Sequence, residues 1–290
     1  MRLLERAISA VDRRLILLAP PSAVVPDHFD RVEFNRDRHE HLLRSLQRFR
    51  GSVYLDDGAV TSEQLSPDGT HETPEDDRSW HLLMLNARDE IVASAWYLDH
   101  HNDVYFDRLR LRHSPLAQTP AWREPLWHAV TQEIAHAREH GLRYAEVGGW
   151  AVANESRRSC DALVVALAAY SLGRICGETI GITTATVKHG SSSILCRIGG
   201  RPLELQGSVL PQYFDERYQC VMEILRFDSR TPSPRFDPLV HILHRRLSRV
   251  AVIARPSWPM THPSRVDVAA ADRSIVRAFL PFPDFGVAIA

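Results

Sequence analysis

The sequence predicts a mixed α/β fold, in which a sheet is flanked by helices. Strand and helix patterns alternate over one stretch, as a strand at 144–152, a helix at 160–176, a strand at 179–187 and a short helix at 191–198. The two strands of this unit should be parallel neighbours joined by a right-handed crossover. Upstream, apolar runs at 80–85 and 91–98 are close enough in sequence to form a hairpin. Parallel and antiparallel pairs are therefore both expected.

The N-terminal part is predicted to cover this sheet with helices. Residues 1–18 and 36–50 have the apolar spacing of amphipathic helices, and we assign 1–50 to an N-terminal helical cover. Residues 61–79 are rich in Ser, Thr, Asp, Glu, Gly and Pro, which predicts a long surface loop.

The main domain is assigned to residues 51–228, and an extension follows it. Within the domain we also expect a third strand at 104–111, a helix from Pro120 that Gly141 ends, and a last strand at 221–227. Residues 229–290 are expected to pack on the core as an extension with a helix at 239–253. Disorder of its last 30 or so residues is the alternative.

Composition is that of a globular protein of 290 residues, with 44% hydrophobic and 24% charged residues. The net charge of -1 gives no overall attraction to nucleic acid or to an anionic membrane. No apolar run approaches the roughly 18 residues that span a bilayer. The four cysteines are widely spaced and follow no secretory signal, so free thiols and a cytoplasmic location are expected.

The most informative stretch is YAEVGGWAVANESRRSCDA, residues 144–162. Gly148 and Gly149 interrupt a strand, which is typical of a bulge or of a close approach by another chain or ligand. Asn154 and Ser156 are candidate N-caps, and two arginines precede a long apolar helix. A helix N-terminus with adjacent arginines is a predicted anion site.

This stretch resembles the acyl-carrier motif of the GNAT superfamily of acyltransferases, a Gln/Arg-x-x-Gly-x-Gly/Ala sequence at a helix start. Arg157 and Ala162 fit the motif, while Cys160 stands at its central glycine. The strand EVGGWAV, residues 146–152, is similar to the Glu-x-Ser-Arg-Phe-x-Val strand of the acyl-homoserine lactone synthases. Segments 182–207 and 53–98 are similar to parts of that branch and of the long-chain N-acyl amino acid synthases, so the resemblance covers roughly 40–228 in the family's order.

The resemblance implies a GNAT-like sheet, mostly antiparallel, whose two central parallel strands splay apart. It also implies an N-acyltransferase that moves an acyl group from a phosphopantetheine thioester, acyl-CoA or acyl-ACP, to a small amine such as an amino acid. Pantetheine would lie in the opening between the splayed strands. An acidic acyl carrier protein is a possible partner, which the arginines near the cleft would favour.

The resemblance and the residue types together imply three groups of site residues. A base, oxyanion donors and a helix-start donor give a catalytic set of Glu146, Gly149, Trp150 and Ser191. Contacts to the carrier are expected from Gly148, Ala151, Val152, Arg157, Arg158, Ser159, Cys160 and Ala162. Contacts to the substrates are expected from Asp76, Asp77, Trp96, Thr183 and Thr184.

Several features leave other interpretations open. Trp96 and Gly149 stand where the homoserine lactone synthases carry arginines, which argues against an S-adenosylmethionine acceptor. Leu195 and Cys196 occupy the helix in which many GNAT enzymes carry a tyrosine that protonates the leaving thiolate. A catalytically silent acyl-carrier or ligand-binding module is therefore the alternative. Glu146 could be a structural ion-paired residue and the glycines a bulge that only shapes the sheet. No metal site is predicted.

Overall fold

A computed structural model describes residues 14–21, 23–157, 159–188 and 190–256. Contacts divide the chain into two units, Met1–Ser257 and Trp258–Ala290. The second unit lies outside the described ranges.

One large sheet organises the first unit. Its order is β10-β11-β6-β5-β4-β3-β1-β12-β2, with β7 paired to β11, while β8 and β9 form a separate two-stranded sheet. The strands are β1 Arg14–Leu18, β2 Val32–Phe34, β3 Trp80–Leu85, β4 Ile91–His100, β5 Arg143–Val152, β6 Thr179–Thr186, β7 Arg201–Pro202, β8 Glu204–Leu205, β9 Ser208–Val209, β10 Tyr213–Asp215, β11 Cys220–Asp228 and β12 Ala251–Ala254.

Helices cover both faces of this sheet. They are α1 Arg36–Asp56, α2 Pro115–Gln118, α3 Pro120–Glu139, α4 Asp161–Ile175, α5 Ser191–Ile198 and α6 Asp237–Leu247, with 3-10 turns at Ser62–Gln64, Phe106–Arg108, Arg110–His113 and Asn154–Ser156. None of the helices in the described ranges is long and apolar enough to cross a membrane.

The alternation of side chains along the strands decides which helix covers which face. Ala145 and Leu82 join a core with α4 and α6, whereas their neighbours Tyr144 and Leu83 face the opposite side. On that opposite side, α3 covers the β5, β6 and β11 end, and α1 covers the β1, β3 and β12 end. The sheet face between α1 and α3 is where the candidate site lies.

The predicted fold class is confirmed. The hairpin of β3 and β4 is antiparallel, and β5 and β6 are parallel neighbours joined through α4, as the alternating pattern required. Most other pairs are antiparallel, although β12 runs parallel to both β1 and β2.

Three element predictions are wrong. Residues 14–18 form strand β1 rather than the end of a helix, because their apolar run Leu15–Leu18 is inserted between β3 and β12; residues 1–13 lie outside the described ranges. The expected strand at 104–111 is a pair of 3-10 turns. The expected helix at 239–253 spans 237–247, and the β-branched 251–254 segment adds strand β12 to the sheet.

The glycine pair of β5 forms a bulge against Trp96. Ser94 pairs with Ala151 and Trp96 with Gly148, so Gly149 and Trp150 together oppose one residue, Ala95. Gly149 has φ +62°, a left-handed conformation that favours glycine. A Cβ at Gly148 would lie 2.5 Å from Trp96 Cζ2, and one at Gly149 would overlap the indole at Cδ1. The glycines therefore make room for a tryptophan of this chain.

We predict that Gly149→Ala destabilises the fold more than Gly207→Ala does. Both glycines have positive φ, but a Cβ at Gly207 meets nothing within 4 Å, so that control carries only the backbone cost of about 1–2 kcal/mol. Gly149→Ala adds overpacking against Trp96, which typically costs about 1–3 kcal/mol more. Chemical denaturation measures both. In a Trp96→Ala background the excess cost should shrink, and equal losses for the two glycines would contradict the packing argument.

Candidate functional site

The parallel strands β5 and β6 separate part of the way along. Their pairing runs from Arg143 and Thr179 to Val147 and Thr183, where it ends. Beyond that point β5 remains paired to β4 on its other side, and β6 remains paired to β11. The two strands therefore form a fork whose inner edges do not pair with each other.

The bulge and one side-chain contact shape the fork. The bulge, which locally bends the strand that carries it, follows directly after the last position at which β5 pairs with β6. Across the opening, Trp150 Nε1 donates a hydrogen bond of 3.2 Å to Thr183 Oγ1. The opening is thus bridged by an indole at its base.

A cavity of about 300 Å³ lies at this fork. One wall comes from α1 and the loop after it, through Arg50, Val53, Tyr54 and His71. The opposite wall comes from β6 and the β10–β11 hairpin, through Thr186, Tyr213 and Tyr218 among others. The sheet face that forms the floor carries Trp96, Glu146, Val147 and Gly148.

Most of the residues predicted for the site line this cavity: Trp96, Glu146, Gly148, Gly149, Trp150, Val152, Arg157, Ala162, Thr183, Thr184 and Ser191. Ala151 is buried and does not line it, and neither do Ser159, Cys160, Asp76 or Asp77. Arg158 lies outside the described residues.

Glu146 is buried and strongly hydrogen-bonded. Its Oε1 accepts the backbone N–H of Leu111 at 2.9 Å, and its Oε2 accepts that of Arg110 at 2.8 Å. His100 Nε2 lies 3.1 Å from the same Oε2. A carboxylate has about four acceptor positions, of which three are used here, and one on Oε1 remains. Glu146 therefore fixes the 110–113 turn while it also lines the cavity.

The helix start after the fork differs from the predicted anion site. Arg157 forms an ion pair of 2.6 Å with Asp57, which follows the end of α1. Helix α4 begins at Asp161, whose buried carboxylate occupies the first turn. Ser159 Oγ accepts the Asp161 N–H at 3.0 Å, and neither predicted cap, Asn154 or Ser156, caps this helix. The resting site thus already contains its own acidic groups.

The next helix start lies across the fork and includes Ser191. Thr186 Oγ1 donates to Ser191 Oγ at 3.3 Å, and Ser192 Oγ contacts the Glu223 carboxylate. Gly190, at φ +72°, precedes the helix without a side-chain cap. Ser191 faces the cavity, whereas Ser192 is engaged in holding the helix to β11.

Asp76 organises the loop beside the cavity from behind it. Arg50, 1% exposed, donates to Asp76 through Nη1 at 2.9 Å and Nη2 at 2.7 Å, and Arg50 also donates to the His71 carbonyl. Gln47 and Thr73 donate to the same carboxylate. Burial alone would raise the pKa of Asp76, but the Arg50 hydrogen bonds and charge outweigh it and lower that pKa to about 2. Asp77 is exposed and lies 3.5 Å from Arg255.

Many of the residues that line the cavity were not predicted as catalytic or binding residues, and four of these are Tyr54, His71, Arg110 and Tyr218. Arg110 Nη2 donates to Tyr218 Oη at 3.0 Å, Nη1 lies 3.3 Å from Glu75, and its guanidinium lies 5.6 Å from the Trp96 ring. Tyr54 contacts both His71 and Tyr218 edge to face. Arg110 was visible in the sequence as one of several arginines near the cleft, but nothing local in the sequence brings Tyr54 and Tyr218 together.

One end of the cavity, the arginine end, contains the guanidinium groups of Arg50 and Arg110, which pair with Asp76 and Glu75. Burial tends to lower the pKa of Arg110, but Tyr218 and Glu75 raise it on balance, so the guanidinium stays charged. Burial and the nearby Arg50 charge lower the pKa of His71 to about 4, which leaves its imidazole neutral at pH 7. Burial also raises the pKa of Tyr54, which keeps its hydroxyl protonated. The pocket can therefore hold an anionic group next to neutral hydrogen-bonding side chains.

Comparison with known proteins gave structural matches alone. No protein-family model matches the chain, and no curated protein sequence matches it significantly. The chain is similar to BjaI, a CoA-dependent acyl-homoserine lactone synthase solved with SAM and isopentyl-CoA, at 13% identity and a TM-score of 0.49, over 84% of this chain and 93% of that one. It is also similar to MesI, another CoA-dependent acyl-homoserine lactone synthase, at 14% identity and a TM-score of 0.47, over 83% of this chain and 98% of that one. FeeM, an N-acyl amino acid synthase from uncultured soil microbes, matches at 12% identity and a TM-score of 0.42, over 75% of this chain and 92% of that one.

We predict that Asp76→Asn lowers the free energy of unfolding by about 3–5 kcal/mol at pH 7, because it leaves the Arg50 guanidinium buried without its counter-ion. The folded-state pKa of Asp76 is depressed, so its stabilisation is present above the unfolded pKa of about 4 and is lost as pH falls toward about 2. The difference in free energy of unfolding between wild type and Asp76→Asn should therefore decrease as the pH falls through that interval. Urea unfolding at several pH values measures it.

Asp77→Asn is the matched control, because that carboxylate is 72% exposed. It should change stability by less than about 0.5 kcal/mol. Equal effects of the two substitutions would show that the Arg50 pair does not hold the loop.

Proposed function

We propose that this protein is an N-acyltransferase that moves an acyl group from a phosphopantetheine thioester to a small amine, and that it acts in the cytoplasm. The fork between β5 and β6 carries the proposal, because it opens the interior of a sheet directly onto the cavity at 147 and 183. An extended amide-bearing arm can bind such an opening as an added strand. Pantetheine has two amides and ends in the thiol that carries the acyl group.

The donor would enter along the inner edge of β5. Val152 and Ala162 line the cavity on that side, and Arg157 lies there as the cation for a phosphate. Binding would require Arg157 to exchange Asp57 for the donor's phosphate. A backbone N–H of Gly149 or Trp150, at the bulge, is the proposed donor to the oxyanion of the tetrahedral intermediate.

The acceptor would bind at the arginine end of the cavity. Arg110 reaches into it, and its 3.3 Å contact with Glu75 is longer than a charge-assisted hydrogen bond at its best. A substrate carboxylate would add a second anionic partner to this guanidinium. This favours an amino acid over an amine with no carboxylate, and Thr183 and Thr184 would contact the substrates from β6.

The proton steps have candidate groups on both sides of the reacting atoms. Glu146, through the free position on Oε1, is the proposed base for the attacking amine. Ser191 is the proposed donor toward the leaving thiolate, and Tyr218, whose Oη accepts from Arg110, is a further hydroxyl in the same cavity. Burial raises the pKa of the Cys196 thiol, which argues against a thiolate nucleophile there.

Two donors fit this site, acyl-CoA and an acyl carrier protein. A carrier protein is acidic and would meet Arg108 and Arg112 on the exposed side of the 3-10 turns, next to the turn that also supplies Arg110 to the cavity. Acyl-CoA needs no such surface, so the salt dependence of the two donors separates them.

The direct test is acyl transfer by the purified chain with a panel of acyl-CoA and acyl-ACP donors and paired acceptors. Each pair consists of an α-amino acid and the amine that lacks its carboxylate. We expect N-acyl product, and more of it from the amino acid of each pair. Tight thioester binding with no turnover on any acceptor would instead identify the silent acyl-carrier module, which the Arg157–Asp57 pair and the acidic start of α4 favour.

We predict that Glu146→Gln lowers the rate at neutral pH by about 100-fold, as loss of a general base typically does. The rate should recover in part at high pH, where more of the acceptor amine is already deprotonated, while donor affinity stays near wild type. Steady-state kinetics across pH measures this. Glu133→Gln is the control, since Glu133 pairs with Arg226 and does not line the cavity.

Stability measurements on Glu146→Gln separate catalysis from positioning. The amide would place an N–H₂ group against the backbone N–H of Arg110 or Leu111. A slow, destabilised variant with no recovery at high pH would make Glu146 a positioning residue for the 110–113 turn. Wild-type turnover and pH profile would remove it from the reaction.

We predict opposite effects from the two members of the Arg157–Asp57 pair. Arg157→Ala should weaken donor binding by about 10-fold or more, because a charge-assisted contact contributes roughly 1.5–3 kcal/mol. Asp57→Asn should strengthen binding, because it releases the guanidinium from its 2.6 Å partner. Fluorescence titration with acyl-CoA measures both. Arg14→Ala, at an exposed pair with Asp89, is the control. If Arg157→Ala and Asp57→Asn both bind acyl-CoA with the affinity of this control, the assignment of Arg157 to the phosphate is wrong.

A further inference from the structure

Three potential metal ligands meet at the last turn of α3, away from the cavity. They are His136, Glu139 and His140, and one ligand atom from each lies within 4.8 Å of the other two. Residues four apart on a helix lie on the same face, which brings the two imidazoles together with ring centroids 4.1 Å apart. None of the three lines the cavity at the fork.

The hydrogen bonding of His140 prepares one nitrogen for a metal. Its Nδ1 lies 2.9 Å from the backbone carbonyl of His136. A carbonyl can only accept, so Nδ1 carries the proton, and in the neutral tautomer with that proton Nε2 carries the lone pair. In metal sites, the ring nitrogen that does not bind the metal commonly donates such a hydrogen bond, which orients the imidazole.

The charged neighbours of the cluster are engaged elsewhere. Arg138 donates from Nε to the Asn102 carbonyl at 3.2 Å, and Glu133 pairs with Arg226 at 2.9 Å. Across the described ranges, no ion pair involves His136, Glu139 or His140. Two nitrogens and one carboxylate are thus available to a single external cation.

We propose that His136, Glu139 and His140 bind a divalent transition-metal ion, with Zn²⁺ as the representative, and that water completes its coordination. Two imidazoles and a carboxylate suit Zn²⁺, Ni²⁺ or Cu²⁺, whereas Mg²⁺ and Ca²⁺ require oxygen ligands. The exposed position of Glu139 and His140 makes this an exchangeable site. The site is independent of acyl transfer.

The metal would act on the connection between α3 and β5. Gly141, at φ +66°, ends the helix, and β5 begins at Arg143. Ligands that span one turn would fix the end of α3 just before this connection. Because the metal binds the folded turn and not the unfolded chain in this geometry, it would raise the unfolding temperature of the protein.

The test uses the full chain, stripped of metal with EDTA and titrated with Zn²⁺ by calorimetry, with thermal unfolding in parallel. We expect one site whose affinity falls at least about 10-fold in His136→Ala and in His140→Ala, with the Zn²⁺-dependent rise in unfolding temperature lost in both. Glu139→Gln should weaken the same site. Circular dichroism without metal checks that each variant is folded.

His128→Ala is the matched control on the same helix. His128 pairs with one carboxylate, that of Glu124, at 3.6 Å. Among the described residues it belongs to no group of three potential metal ligands. It should bind Zn²⁺ like wild type. Absence of Zn²⁺ binding by wild type, or wild-type affinity in both His136→Ala and His140→Ala, would overturn the proposal.

Discussion

The packing of Trp96 against Gly148 and Gly149 is the contact on which the candidate site depends. The indole occupies the space that side chains at both glycines would need, and the left-handed conformation of Gly149 inserts one extra residue into β5. Just before that insertion the pairing of β5 with β6 ends. Neighbouring strands inside a sheet normally pair along their whole length, and the β5–β6 pairing is interrupted next to this bulge.

Two buried carboxylates hold the walls of the opening, and each does so by accepting backbone or guanidinium donors. Glu146 accepts from the backbone of Arg110 and Leu111, which points the Arg110 side chain into the cavity. Asp76 accepts from Arg50 and Thr73, which ties the loop after α1 to that helix. Glu146 and Asp76, which the sequence suggests as a base and an acceptor contact, therefore also stabilise the structure. Experiments on their function must separate loss of activity from loss of this structural role.

The charged groups differ between the side of the cavity proposed for the donor and the side proposed for the acceptor. On the proposed donor side Arg157 is paired with Asp57, and the first turn of α4 contains Asp161, so a donor phosphate would have to compete with acidic groups of the chain. On the acceptor side Arg110 is surrounded by Trp96, Tyr218 and Glu75. The proposed order of preference for acceptors follows from this asymmetry.

The sequence alone determined the elements with strong periodicity: the 80–98 hairpin, the βαβ unit around α4, and the glycine interruption that marks the fork. It failed where an element is defined by its partners. Residues 14–18 and 251–254 are short apolar runs that become strands because each is the other's neighbour in the sheet, across more than two hundred residues. Only the tertiary structure brought Tyr54, Arg110 and Tyr218 into one cavity, because three distant segments supply them, and local pattern carries no information about such distances.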